Sequence, residues 1–274
     1  MTFRRAHRRV TRVVRGELHT AVQTWTRGPD HRIVLIGMSH VGEPDYFDTV
    51  RRVVASHPGA TVHYERVVRE DPLPPMTDDE WARLDAARRS HRFVLRWAAE
   101  VAELGTQHGL AVDGWHNVDV NEVDLARMSG RSMPRLAVPG VRMGIDYAPP
   151  LTDRQRRVLR HVVRLLLVHI APRGRLLMRP MTRRAVVQWR NVHAMTHALR
   201  AVHDGPVVMI WGAGHLPGIG DVLLHNDFRL ESVRWVRAVG RMRSPEGAPV
   251  TGEQPGEELK VSVKVYNNGQ VGTS

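Results

Sequence analysis

Pro206-Val-Val-Met-Ile-Trp-Gly-Ala-Gly-His-Leu-Pro-Gly-Ile-Gly-Asp-Val-Leu-Leu-His-Asn226 is the stretch whose reading decides the fold. Val207 to Trp211 is a short apolar run rich in β-branched and aromatic side chains, the composition of a buried strand. Gly212 and Gly214 allow a sharp turn where side chains would clash. His215 is therefore presented just past the end of a core strand. Pro217 follows, and Ile219, Val222 and Leu223 have the spacing of the first turns of a helix, where proline is tolerated. A second copy lies near the start of the chain. Arg32 to Ile36 reads as a strand, Gly37-Met38-Ser39-His40 turns off its end, and Asp45 to His57 reads as an amphipathic helix stopped by His57-Pro58-Gly59. In open α/β sheets, ligands sit beyond the carboxyl ends of the strands, so both histidines stand where functional groups gather.

Working outward, Ala60 to Val67 predicts a strand in which His63 and Glu65 share one face, because strand side chains alternate. Strand, turn, helix and strand make a βαβ unit, and Val207 through Arg229–Val236 repeats the pattern. The predicted fold is α/β: a central mixed sheet built from two such units, with a helical region between them. That region contains a loop at Asp71–Pro75 and a capping-box-like Thr77-Asp78-Asp79-Glu80. The helix it starts carries Trp81, Leu84, Phe93, Leu95, Trp97 and Val101, with a break expected near Ser90. Gly114 to Leu125 reads as a polar loop beside the site, and Met128 to Pro150 as an irregular lid. Helices are expected over Thr152–Ile170 and Thr182–His203. Phe3 to Trp25 predicts a basic helix with Val10, Val14, Leu18, Val22 and Trp25 on one face, packed on the body of the fold or, alternatively, on a membrane surface. The domain reading is thus an N-terminal helix (1–27), a catalytic α/β domain (28–241) and a flexible tail (242–274) with an edge strand at Glu258–Tyr266.

Composition narrows the chemistry. The 274 residues are 42% hydrophobic, enough for a substantial core. There is no cysteine, which excludes disulfides and thiolate catalysis and leaves only His, Asp, Glu or carbonyl oxygen to hold a metal. No apolar run reaches the roughly 20 residues that span a bilayer, and arginines interrupt any signal-peptide core, so a cytoplasmic location is expected. The net charge of +12 comes from 40 basic residues of which only Lys260 and Lys264 are lysine. The arginines are scattered and aromatics make up 5% of the chain, which disfavours nucleic acid as a partner.

Gly-x-x-His occurs five times, ending at His19, His31, His40, His108 and His215. Only His40 and His215 follow an apolar strand and precede a helix. Val34-Leu35-Ile36-Gly37-Met38-Ser39-His40, with Glu65 on the next strand, resembles the opening of the TraB/PrgY/GumN family of the Tiki superfamily. Arg190-Asn191-Val192-His193-Ala194-Met195 is similar to its Arg-Asn-x-x-Met helix. Gly212-Ala213-Gly214-His215-Leu216-Pro217-Gly218-Ile219 resembles its second Gly-x-x-His, and Ser39 is a departure from the usual threonine or alanine. The resemblance spans roughly Ile33 to Val239.

The resemblance implies a fold related to erythromycin esterase-like and ChaN-like proteins. It also implies a metal-dependent hydrolase of peptide or amide bonds, with His40, His215, Glu65 and Arg190 carried over and Asn191 beside them. A divalent ion (Mn, Co or Zn) held by His40, His215 and Glu65 would make its bound water nucleophilic near neutral pH. Glu65 is third ligand or general base. Arg190 stabilises an oxyanion, grips a substrate carboxylate, or simply forms an ion pair with Glu65. His63 shares the Glu65 face as a ligand or orienting group, or as an ordinary buried histidine. His193 forms a helical His-x-x-x-His with His197 and is at most a supporting group; His116 is an outlying candidate. Two other functions remain open: a metal-free esterase or tailoring enzyme using His/Glu acid–base chemistry on a small molecule, and a protein that sequesters a peptide or metal without turnover. The partner is a peptide or small-molecule substrate in the first two.

Overall fold

Val34, Ile36, Val208 and Ile210 alternate along the chain with Ile33, Leu35, Val207, Met209 and Trp211, and all nine are buried. Strands apolar on both faces must be covered from both sides, which is the arrangement of a parallel sheet sandwiched between helices. The structure, a computed structural model, describes residues 3–67, 77–107, 110–121, 123–125, 152–170 and 184–241. Its strands are β1 (Thr11–Val14), β2 (Glu17–Arg27), β3 (His31–Met38), β4 (Val41–Gly42), β5 (Thr61–Tyr64), β6 (Gly105–Thr106), β7 (His116–Asn117), β8 (Val207–Gly212) and β9 (Arg229–Val239). Its α-helices are α1 (Pro44–Ala55), α2 (Asp78–Ala102), α3 (Asp153–His169), α4 (Arg190–Ala201) and α5 (Leu216–His225).

The central sheet is mixed. β3, β8, β5 and β7 lie side by side in that order and run parallel. β2 lies antiparallel to β3 and also pairs antiparallel with β9, so β9 runs in the same direction as β3 and β8. β1 pairs with the first part of β2. The connection β3–α1–β5 passes over β8 on the face where Val34, Ile36, Val208 and Ile210 cluster with Tyr46, Phe47, Val50, Val53 and Val54 of α1. The connection β8–α5–β9 goes the other way, past β3 and β2, on the opposite face with Leu216, Ile219 and Leu223. Reversing both direction and face keeps the hand of the two crossovers the same, as parallel connections require. α2 and α3 join α1 on the first face through Ala99, Ala102, Val163 and Val168. α4 joins α5 on the second through Ala194, Met195 and Ala198. Neighbouring strands β3 and β8 thus send their chains to opposite faces, which makes their carboxyl ends a topological switch point.

Several expectations are corrected. The N-terminal segment is not a helix of residues 1–27. After a short 3-10 turn at Phe3–Arg8 it forms the β1–β2 hairpin, and β2 is an interior strand of the sheet. The α/β unit therefore does not begin at residue 28. Val10, Val14, Leu18 and Val22 fit a helical face, but they fall on different sides of the hairpin: within β2 a spacing of four keeps Leu18 and Val22 on one side, in the first core, whereas Val14 lies opposite Glu17 and Val10 packs in the second core. Trp25 falls on the other side and packs in the second core. The turn is a two-residue one: Arg15 and Gly16 both have positive φ (50° and 78°), the backbone that a tight hairpin needs. α2 runs unbroken through Ser90. The expected polar loop at Gly114–Leu125 contains β7, paired parallel with β5. The helix expected over Thr152–Ile170 is α3, started by a capping box between Thr152 and Gln155. The one expected from Thr182 begins as a π-helical segment at Arg184–Trp189 and continues as α4. The loop at Asp71–Pro75, the lid at Met128–Pro150 and the tail with its edge strand lie outside the described residues. Among the described residues no helix is long and apolar enough to cross a membrane.

Candidate active site

The turn after β3 is held by Tyr46 from the first turns of α1. Its buried hydroxyl donates to the Gly37 carbonyl (3.1 Å), accepts from the Ser39 N–H (3.0 Å) and meets Thr20 Oγ1 at 3.1 Å. Burial, opposed by the bonds with Thr20 and the Ser39 N–H, pushes the Tyr46 phenol up to about 12, so it stays a neutral hydrogen-bonding clamp. Ser39 Oγ donates to the Val41 carbonyl (2.6 Å). The two strand-end turns are stitched together where the Ala213 N–H donates to the Met38 carbonyl (2.9 Å).

His215 caps the start of α5 and is buried. Its Nδ1 lies 2.7 Å from Asn191 Oδ1, while Asn191 Nδ2 donates to the His215 carbonyl (3.2 Å). The second bond fixes which end of the amide faces the ring. Nδ1 therefore carries the proton and Nε2 keeps its lone pair. Gly218, one turn into α5, leaves room for this amide, and a Cβ there would collide with Asn191 Nδ2. The Gly-Ile continuation of the motif thus serves the Arg-Asn helix that faces it.

Glu65 stands one residue beyond β5, and its N–H still bonds the Ile210 carbonyl (3.1 Å). Its Oε1 accepts from Arg190 Nη2 (2.5 Å), and its Oε2 accepts from the Gly212 N–H. A Cβ at Gly212 would lie 3.0 Å from Glu65 Oε2, so a larger residue here would require the carboxylate to shift. On its other side Arg190 forms a fork with Asp119, through Nε to Oδ1 (2.8 Å) and Nη2 to Oδ2 (2.6 Å). Asp119 is itself anchored by the Val120 N–H (2.8 Å). His215 Nε2 lies 3.7 Å from Glu65 Oε1 and 3.5 Å from Arg190 Nη1.

Charge in this cluster follows from its geometry. Burial would raise the Glu65 carboxyl, but Arg190, then His215, His40 and the Gly212 N–H, together hold it at about 2. Burial likewise works against charge on Arg190, and Glu65 and Asp119 more than reverse this, so the guanidinium is firmly protonated. Asp119 is raised by burial, with Arg190 opposing. His215 is lowered to about 4, chiefly by burial; Glu65 pulls the other way while Arg190 and His40 add to the lowering. It is therefore a neutral imidazole at pH 7.

Five residues singled out from the sequence share one neighbourhood at the switch point: His40, Glu65, Arg190, Asn191 and His215. His40 lies within electrostatic reach of both Glu65 and His215, and its buried Nδ1 has no hydrogen-bond partner. His63 and His193 sit apart. They face His116 and His197 between β5, β7 and α4. The member of the cluster that sequence reasoning missed is Asp119, the partner of Arg190. It lies in an irregular stretch with no periodicity to mark its direction; the polar loop at Gly114–Leu125 was the nearest signal.

The cluster does not fit a ready-made divalent metal centre as it stands. Among the described residues no three His, Asp or Glu side chains are grouped to hold an ion. Both Glu65 oxygens are already engaged, and Arg190 Nη1 faces the lone pair of His215 Nε2 that would ligate. What the arrangement offers instead is a base and a hydrogen-bond-donating cation side by side. Two concavities, one of about 220 Å³ beside Phe47 and Thr106 and one of about 640 Å³ along Val158 and Val162 of α3, are lined by no residue of this cluster. No protein-family profile matches the chain, and neither a curated protein nor a solved structure is similar to it.

Proposed function

We propose that the chain is a hydrolase acting at an ester or amide carbonyl of a small molecule or peptide, with His215 as the base and Arg190 as the anion-stabilising group. The observation that carries this reading is the 3.5 Å approach of Arg190 Nη1 to the lone-pair nitrogen of a neutral, buried His215. Nε and Nη2 of Arg190 are engaged by Asp119 and Glu65 and Nη1 meets His215 Nε2 at 3.5 Å, so the Nη1 N–H turned away from His215 is the corner of the guanidinium that would take a substrate oxygen. A water beside His215 would give its proton to Nε2 and add to the carbonyl carbon. The oxygen that becomes negative is received by Nη1. The protonated imidazole, 3.7 Å from Glu65 Oε1, then returns the proton to the departing alcohol or amine. Asn191 holds the ring in the tautomer this requires.

A second reading, the metal-dependent peptidase that the family resemblance implies, is favoured by the unpartnered His40 Nδ1. There His40, His215 and Glu65 would hold Mn, Co or Zn, and that ion would supply a nucleophilic water. Turnover of an ester and peptide panel, measured with and without chelator alongside metal analysis of the purified protein, separates the two. Turnover that survives chelation and vanishes in folded His215→Ala supports the first reading, and turnover lost to chelator and restored by metal supports the second. No turnover under either condition overturns both and leaves a binding role. In the first reading Arg190→Lys keeps the charge but loses the fork, and kcat falls roughly 100-fold or more at saturating substrate. A change confined to KM would instead make Arg190 a substrate grip.

A further inference from the structure

Helix α3 is turned inside out. Its Arg160 and Arg164 face the body of the protein, where Arg160 pairs with Glu103 and Arg164 donates to Glu43 (2.8 Å) and to the Ala102 carbonyl (3.0 Å). Val163 and Val168 are its buried residues, whereas Val158, Val162, Leu165 and Leu166 are 58%, 43%, 45% and 46% exposed. A surface helix ordinarily turns its apolar stripe inward and its charges outward. Val158, Val162 and Leu165, with His169 beyond them, are spaced by four, three and four residues. That alternation is the seam of a coiled coil, a narrow line matched to another helix. The line is also uneven. Its N-terminal half borders the concavity of about 640 Å³, at Arg154, Val158, Leu159 and Val162, and Leu165 and Leu166 lie outside that lining.

We propose that α3 docks antiparallel against the α3 of a second copy of this chain, about a two-fold axis passing between Val163 and Arg164. Val162 then meets the partner's Leu165, and Leu159 meets the partner's Leu166. Each copy supplies both the groove and the leucines that fill it, which is the self-complementarity a closed dimer requires. A parallel pair would instead set groove against groove. The antiparallel direction also opposes the two helix dipoles and carries the exposed Arg154 toward the carbonyl end of the partner's helix, where a cation is stabilised. A lipid surface is a poorer match, because α3 has no Trp, Tyr or Phe to anchor it there. The helix has 17 residues. Two helices of this length, about 25 Å each, would cover on the order of 1,000 Å², the lower bound for a specific interface. The dimer is therefore weak and dependent on concentration.

The test is sedimentation equilibrium of the full-length protein from low to high micromolar concentration. A monomer–dimer equilibrium is expected. Val162→Glu and Leu165→Glu, both on the exposed face, should each weaken association roughly tenfold or more while leaving the circular dichroism spectrum unchanged. The chain has no cysteine, so introduced thiols report the register directly. Mixed under mild oxidation, Val162→Cys and Leu165→Cys proteins should crosslink to each other in preference to themselves. Preferential self-crosslinking of each variant overturns the antiparallel arrangement. Wild-type association in folded Val162→Glu overturns the proposal, and so does a wild type that stays monomeric at every concentration. In that last case two further measurements reassign the face. Binding to vesicles of phosphatidylcholine and phosphatidylserine that is lost in Val162→Glu would give it to a lipid surface. A lower Tm in Val162→Glu without vesicle binding would give it to another segment of the same chain.

Discussion

The turn after β3 and the turn after β8 start from the same Gly-x-x-His spacing and become different devices. His215 is buried, capped onto α5, and fixed through its ring and its carbonyl by one asparagine. His40 is half-buried, with its Nδ1 unpartnered, and what surrounds it clamps the backbone rather than the ring: Tyr46 on Gly37 and Ser39, and the Gln107 N–H on the His40 carbonyl (3.1 Å). One histidine is held by its ring and its carbonyl; the other is held by its backbone alone, with its buried Nδ1 unpartnered. Equal motifs therefore do not imply equal roles, because the helix facing each turn decides what its histidine can do.

The largest effect should separate the two histidines. His215→Ala is expected to cost 100- to 10,000-fold in turnover, the usual span for a lost acid–base group. His40→Ala should cost less and act mainly through KM. Equal losses in kcat would break the asymmetry and favour two equivalent ligands.

Acid stability sharpens the same contrast. His215 titrates at about 4 in the folded protein against an ordinary 6.5, so unfolded chains bind its proton first as pH falls. The resulting stabilisation is complete above pH 6.5 and is lost progressively down to pH 4. His63 behaves in the same way. Glu65, lowered from 4.5 to about 2, adds a loss between those two values. Thermal melts from pH 7.5 to 4 should therefore show a falling Tm whose slope diminishes in folded His215→Gln; an unchanged slope would mean that His215 is not buried as a neutral ring.

The smallest effect concerns the clamp. Tyr46→Phe removes a buried hydroxyl with three polar partners and should destabilise by about 1–3 kcal/mol in urea unfolding. Any activity change should resemble that of His40→Ala rather than His215→Ala. A drop in kcat as large as that of His215→Ala would show that the first turn is no mere backbone platform.

Much of this was legible because the signals were local. A β-branched run ending in glycine and histidine marks both strand ends, and Arg190-Asn191 on a helix marks the group opposite. Hydrophobic spacing misled at the N-terminus, where the step from Leu18 to Val22 satisfies helix and strand alike and the turn between Val14 and Leu18 breaks the helical face. The β-branched residues Thr11, Val13, Val14, Thr20, Val22, Thr24 and Thr26 and the Arg15-Gly16 turn carried the correct signal. Asp119 was not legible as an anchor. Its role depends on β7, two residues long, lying beside β5, and nothing local in the sequence specifies that pairing.

β2 pairs along its length with β9, in a register joining Leu18 to Val239 and Thr26 to Arg229. During synthesis that edge of β2 must wait while about 200 residues emerge. Contacts so distant in sequence form slowly, and an unpaired strand edge invites pairing with other chains. A β2 edge held back from other chains until β9 arrives is therefore a requirement of this topology that the finished sheet no longer displays.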